Sequence, residues 1–361
     1  MHAHSQETPS ATLAAGTCLG KYQVVRLLGE GGMGAVYEGV HLAIGKKVAI
    51  KVMSPELVAD PDARARFLRE AQLTSRVRHP HAVDVTDVGS EAGQTFLVME
   101  LLEGEDLASF IQWRGALPLE QAADIMLAVA AAVAAAHDEG IIHRDLKPHN
   151  VFLSQTRDGV IVPKVVDFGI SKGSKSALDP HPAVAPAPAP VMAPVVKTTV
   201  GLMGSPGYLA PEQIEKPQTA SAASDQYQLG LILYQCVTGR APFGVDDDVA
   251  KIFGDILSGK RTPAGELRSG LPDDLQRIIE RATSRDPAAR FPSVRALGKA
   301  LLPFATPKAA LTLARSFDDG EVSAVIPALP PRRRRAVALW IGAAAAVLAA
   351  VAVIAWALPW R

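Results

Sequence analysis

His143-Arg144-Asp145-Leu146-Lys147-Pro148-His149-Asn150 crowds charged, imidazole and amide side chains into one short stretch, directly behind the apolar pair Ile141-Ile142. A polar stretch with a proline after an apolar run is either a solvated turn or part of a working apparatus. Its neighbours decide which. Upstream lies an alanine-rich segment, Leu119 to His137, which reads as the first helix of the second half of the chain.

The whole sequence limits the answer first. With 361 residues there is room for one large or two medium domains with a real core. Basic and acidic residues balance at 37 each, so no global field points to nucleic acid or to an acidic partner. Cys18 and Cys236 are far apart and show no metal-type spacing, which excludes a disulfide framework and suits a reducing compartment. The opening MHAHSQETPS has neither a basic nor an apolar region of a secretory signal, and residues 1–20 are predicted to be a flexible tail.

The other end is different. Arg332 to Arg335 precede residues 336–358, which carry no charge. A helix of that length at ~1.5 Å per residue spans roughly 34 Å, enough to cross a bilayer core. Trp340, Trp356 and Trp360 stand near its ends, as interfacial aromatic rings do. A single-pass helix over 336–358 is therefore expected, with a buried core helix as the competing reading. The shorter apolar run Ile125 to Ala136, closed by Asp124 and His137, fits a buried helix of a soluble domain. By the positive-inside rule the arginines, and everything before them, lie on the cytoplasmic side of the inner membrane. That leaves 359–361 outside and no external sensor domain.

Between the ends, Leu19 to Met53 alternates short Val, Ile, Leu and Tyr runs with glycines, a pattern of strands and hairpins. Gly29, Gly31 and Gly34 form a GxGxxG arrangement, which by itself is weak. A dinucleotide fingerprint must open a helix. Here Ala35 to Val40 and Lys47 to Val52 read as strand, turn, strand, so a phosphate-covering hairpin or a bland glycine hairpin remains. Lys51 sits among apolar strand residues, where an exposed-face lysine or a point charge for phosphate oxygens are the two readings. A helix is predicted with Asp60 as N-cap, Pro61 in its first turn and Ala63 to Val77 as its body, which carries Glu70. Thr95 to Glu100 reads as a buried strand leading into a connector.

Taken in order, the glycine stretch Gly29 to Val36, Val48-Ala49-Ile50-Lys51, HRDLKPHN, Asp167-Phe168-Gly169 and Ala210-Pro211-Glu212 resemble the protein kinase signature set over about Lys21 to Phe304. The resemblance is to eukaryotic-like bacterial Ser/Thr kinases tethered by a single span. It implies an α+β fold: a bilobal protein kinase-like fold, with a β-rich N-lobe over about 21–103 and a larger helical C-lobe over about 104–304, plus one C-terminal transmembrane helix.

The same resemblance implies roles. ATP would lie under Leu28, Gly29, Glu30, Gly31, Gly32, Met33, Gly34, Ala35 and Val36, with Val36 and Ala49 around the base. Lys51, paired with Glu70, would hold the α- and β-phosphates; Met99 would stand at the back, and the backbone of Glu100 and Leu102 would bond the base edge. Asp145 would take the proton of the attacking hydroxyl, Lys147 would neutralise the transferring group, and Asn150 and Asp167 would hold Mg2+, with Mn2+ as a substitute. Lys147 is the form typical of Ser/Thr kinases. Glu212 would pair with Arg290, and Asp225 would tie the catalytic loop.

One region departs from a compact kinase. Residues 173–197 are rich in Pro and Ala and are expected to be a polyproline-like loop inserted in the activation segment. Behind it, Thr198 and Thr199 are candidate autophosphorylation sites, with Arg144 placed to receive the phosphate. Residues 305–335 are expected to form a disordered tether. Protein substrates, an inner-membrane attachment and a homodimer through Gly342 and Ala346 of the span complete the expectation, without a nucleic-acid partner. A catalytically silent membrane scaffold is the alternative.

Overall fold

The computed structural model describes residues 13–31, 34–91, 93–168, 206–244 and 248–318, with the Glu70 side chain outside that description. The first half is a six-stranded antiparallel sheet of β1 (Cys18–Leu19), β2 (Tyr22–Gly31), β3 (Gly34–His41), β4 (Lys47–Met53), β5 (Val85–Glu91) and β6 (Gln94–Glu100), ordered β1-β2-β3-β4-β6-β5. Side chains alternate between faces along each strand. Val48, Ile50 and Val52 pack with Tyr22, Tyr37 and Phe96 on one face, while Ala49 and Met53 meet Phe67, Ala71 and Met99 on the other. Lys51 shares the second face and is buried there, which resolves its ambiguity in the sequence.

The second face is covered by α1 (Pro55–Val58) and α2 (Pro61–Thr74). Asp60 caps α2 by accepting the Asp62 N–H at 2.9 Å. The helix ends at Thr74, short of the expected Val77.

The second half carries a small sheet, β7 (Gly104–Asp106), β8 (Val151–Gln155) and β9 (Ile161–Val165), and a helical body. Its helices are α3 (Leu107–Arg114), α4 (Leu119–Asp138), α5 (Pro211–Glu215), α6 (Ala222–Thr238), α7 (Val249–Ser258), α8 (Ala264–Leu267), α9 (Asp273–Ala282), α10 (Val294–Leu301) and α11 (Pro307–Leu313). The expected first helix at Leu119 is thus preceded by α3, whose Leu107, Phe110 and Ile111 face the core at helical spacing. Helix α4 is apolar all round and is long enough to cross a membrane, but it is buried against α6, α10 and α11, as a helix of that kind must be in water. Gly230 lets α6 and α9 touch, since a Cβ there would meet Thr283 Cγ2 at 2.7 Å.

Two segments expected to be loose are folded in part. In the N-terminal tail, β1 pairs with β2 and the Leu13 N–H donates to Tyr37 Oη at 3.0 Å. In the expected tether, Thr306 caps α11 and binds Asp124 through its N–H and its hydroxyl, each at 2.8 Å. Phe317, in the turn that follows, packs where a Cβ on Gly298 would otherwise stand, 2.2 Å from the ring. These tertiary contacts hold a Pro- and Ala-containing stretch that local sequence does not order. The expected span, 336–358, and the 173–197 insertion lie outside the described residues.

Candidate active site

A cavity of about 1010 Å³ opens where the six-stranded sheet faces the second half. Gly29, Gly31 and Gly34 line one side, Val36, Ala49 and Met99 line the inner wall, and Asp145, Asn150 and Asp167 line the floor. Gly34 has a φ of 137°, and a Cβ there would stand 1.9 Å from the Val52 carbonyl oxygen, so only glycine fits that turn.

The two halves meet through an ion pair. Lys51 Nζ donates to Asp167 Oδ1 at 2.7 Å. Burial pushes the Asp167 carboxyl up, but the charge and hydrogen bond of Lys51, helped by His143 and Lys147, outweigh it and hold Asp167 below the ordinary carboxylate range. Asp167 has a φ of 59°, the left-handed region that Asp tolerates better than most residues. Its neighbours are pinned: the Val166 N–H donates to Asn150 O at 3.0 Å, and His143 Nε2 donates to Val166 O at the same distance.

The loop of Asp145 is held from below by α6. Asp225, fully buried, accepts the His143 N–H on Oδ2 at 2.9 Å and the Arg144 N–H on Oδ1 at 2.8 Å, and His137 Nε2 lies 2.7 Å from the same Oδ2. Lys147 Nζ sits 3.1 Å from Asp145 Oδ2. Asn150 Nδ2 donates to the Asp145 carbonyl at 2.8 Å, which leaves its amide oxygen for another partner. A carboxylate and an amide oxygen, Asp167 and Asn150, form the hard-oxygen donor set that suits Mg2+, and the glycine-lined wall with Lys51 behind it suits a polyphosphate.

Farther down, Arg290 holds Glu212 with two parallel bonds of 2.8 Å, and Ser224 Oγ donates to the same carboxylate at 2.7 Å. The arginine is fully buried and lies over the Tyr227 ring.

A protein kinase domain family model matches residues 22–301. The chain belongs to the protein kinase family. This kinase is 36% identical over 282 residues to the serine/threonine-protein kinase PknA of Mycobacterium tuberculosis, an alignment that covers 77% of this chain and 59% of the relative. It is 35% identical over 272 residues to the serine/threonine-protein kinase PrkC of Bacillus subtilis, covering 75% of this chain and 38% of that one. The chain thus spans well under two thirds of the length of these curated relatives. Among solved structures, the PknI kinase domain of Mycobacterium tuberculosis is similar at a TM-score of 0.62 and 29% identity, covering 81% of this chain and 100% of that one. Rad53 in complex with AMP-PNP shares the fold at a TM-score of 0.61 and 22% identity, over 79% of this chain and 66% of that one.

Most residues singled out in the sequence of the kinase gather on this cavity: Leu28, Glu30, Glu100, Leu102 and Lys147 line it beside those already named. Ala35 does not. It lies on the opposite face of β3, buried in the cluster with Tyr37 and Ile50. Glu70 is carried by α2, but its side chain is undescribed, and the described partner of Lys51 is Asp167. Gly32, Met33, Thr198 and Thr199 lie outside the described residues. Arg144, Asp225, Glu212 and Arg290 stand behind the cavity, not on it. Val83, Phe152 and Val166 are among the lining residues to which the sequence assigned no role. For Phe152 a signal existed: Val151 and Leu153 are buried on one face of β8, so Phe152 must face the other way, toward the cleft.

Proposed function

We propose that this kinase transfers the γ-phosphate of ATP to Ser and Thr hydroxyls of protein substrates. The observation that carries this reading is the Lys51–Asp167 ion pair at 2.7 Å over a floor formed by Asp145 and Asn150. Lys51 is held by its partner as a point charge aimed at the cavity, where phosphate oxygens would be met by donors already in place. Val36 and Ala49 bracket an apolar slot for the base. The Glu100 N–H is already given to Asp84 O at 3.0 Å, so the base-edge contact from that residue falls to its carbonyl. Mg2+ held by Asn150 and Asp167 would neutralise charge between the phosphates. Asp145 takes the proton of the incoming hydroxyl, and Lys147, 3.1 Å away, offsets negative charge as the group moves. The names of the relatives, all Ser/Thr kinases, support the choice of hydroxyl.

The test is transfer from labelled ATP with magnesium, followed by identification of the modified residues. Label on Ser or Thr is expected. Label on Tyr alone, or no label while an ATP analogue still binds, would refute the assignment, and the second result would favour a scaffold.

Autophosphorylation belongs to the same reading. Arg144 Nε is buried and has no hydrogen-bond partner among the described residues, which leaves guanidinium capacity for a phosphate on Thr198 or Thr199. Replacing both threonines by alanine is expected to cut activity by about tenfold or more, on the scale of two charge-assisted bonds. Full activity with unchanged label would refute it. Residues 336–358 are proposed as a single-pass anchor with 332–335 on the cytoplasmic face. Carbonate washing of membranes should leave the full chain in the pellet; release into the supernatant would contradict the anchor.

A further inference from the structure

Arg144 has a φ of 67°, a left-handed conformation that non-glycine residues adopt rarely. It sits immediately before Asp145, so the direction of this turn sets where the Asp145 carboxylate points. Asp225 secures the N–H side of the turn, through His143 and Arg144. The carbonyl side needs a separate device.

That device is a pair of buried glutamines. The Arg144 carbonyl accepts Gln213 Nε2 at 2.9 Å and Gln228 Nε2 at 3.1 Å. Gln228 Oε1 accepts the Leu146 N–H at 2.9 Å. One amide therefore grips the peptide unit on each side of Asp145. Gln213 Oε1 in turn accepts Gln228 Nε2 at 3.1 Å and the Ala210 N–H at 3.0 Å. Gln228 stands on α6, one turn beyond Asp225, and is 1% exposed; Gln213 stands on α5 and is 7% exposed. An apolar side chain of equal size would fill either place, and amides buried there are stable only with their bonds complete.

We infer that Gln213 and Gln228 are positioning residues for Asp145, a buried amide relay that fixes the catalytic turn and links it to the chain entering α5 at Ala210. Neither residue reaches the cavity or the reacting atoms. The relay makes the aim of Asp145 depend on the placement of Ala210. The inference rests on the kinase reading above.

Gln228→Met keeps volume and shape while deleting every bond of the relay at that position. In the full chain, kcat is expected to fall about 10- to 100-fold, the scale of an ångström-level misplacement, while KM for ATP and the melting temperature stay close to the parent's. Gln213→Met is expected to do less, because Gln228 still holds Arg144. The double variant should be no worse than Gln228→Met, since the two act as one unit. Equal kcat in parent and Gln228→Met, or a loss that follows the folded fraction, would overturn the inference. Hydrogen exchange over residues 143–147 supplies a readout independent of activity. Faster exchange at Leu146 in Gln228→Met is expected, and in Gln213→Met if the first variant does not fold; unchanged protection overturns the relay. A parent without transfer activity would refute the kinase reading instead, and exchange would still decide the relay.

Discussion

Replacing Asp145 by asparagine is expected to lower kcat by about 10²- to 10⁴-fold, the usual contribution of a positioned proton acceptor. The substitution preserves shape, and the contact that Asn150 makes goes to the Asp145 carbonyl, so the loop keeps its anchor. The ties from Asp225 and Gln228 are to backbone atoms and survive as well. What disappears is basicity, together with the charge that Lys147 faces at 3.1 Å. KM for ATP should therefore stay within about threefold of the parent value, because the lost interaction acts on the hydroxyl and not on the nucleotide. Steady-state kinetics at saturating peptide check this. A rate within about threefold of the parent would remove Asp145 from the chemistry.

The second large effect is on stability. Arg290→Ala leaves Glu212 without its guanidinium and also strips donors from the Ala223 and Ser284 carbonyls. Breaking a buried pair from one side costs about 3–5 kcal/mol, against a total stability of roughly 5–15 kcal/mol for a domain. Urea denaturation would show it as a lowered midpoint. The dependence on pH gives a sharper check. Burial pushes the Glu212 carboxyl up, but hydrogen bonds from Arg290 and Ser224 more than reverse this, so it titrates below its ordinary value of 4.5. With the folded pKa lowered, the unfolded chain takes up the proton first on acidification. The stabilisation is complete above 4.5 and is lost as the pH falls through the lower folded value. The gap between parent and variant should thus be widest near neutrality and narrow in acid. A gap that is constant with pH would mean that packing over Tyr227, not charge, accounts for the loss.

Much of this architecture is legible in local pattern. The glycine-broken strands from Leu19 to Met53 form a hairpin sheet because alternation and turn residues agree, and Leu119 to His137 forms a buried helix because its run is too apolar for a surface. Other features depend on contacts distant in sequence. Alternation places Ala35 and Val36 on opposite faces, but which face meets the cleft is set by where α2 lies, so the run of residues expected over ATP does not by itself separate Ala35 from Val36. The partner of Lys51 comes from 116 positions away. Gln213 and Gln228 look like ordinary polar helix residues, and their burial follows only from the packing of α5 and α6 against the catalytic loop.

The docking of Phe317 against Gly298 has a practical side. The family match ends at residue 301, yet the folded chain continues through α11 to a phenylalanine that is 1% exposed. A recombinant fragment cut at the family boundary would lose that ring and the Thr306 bonds to Asp124, and would bare apolar surface on α4 and α10. Losing a buried phenylalanine costs about 3–5 kcal/mol, enough to turn a well-behaved enzyme into an aggregating one. A fragment meant to keep this fold intact should run to residue 318 and not stop at 301.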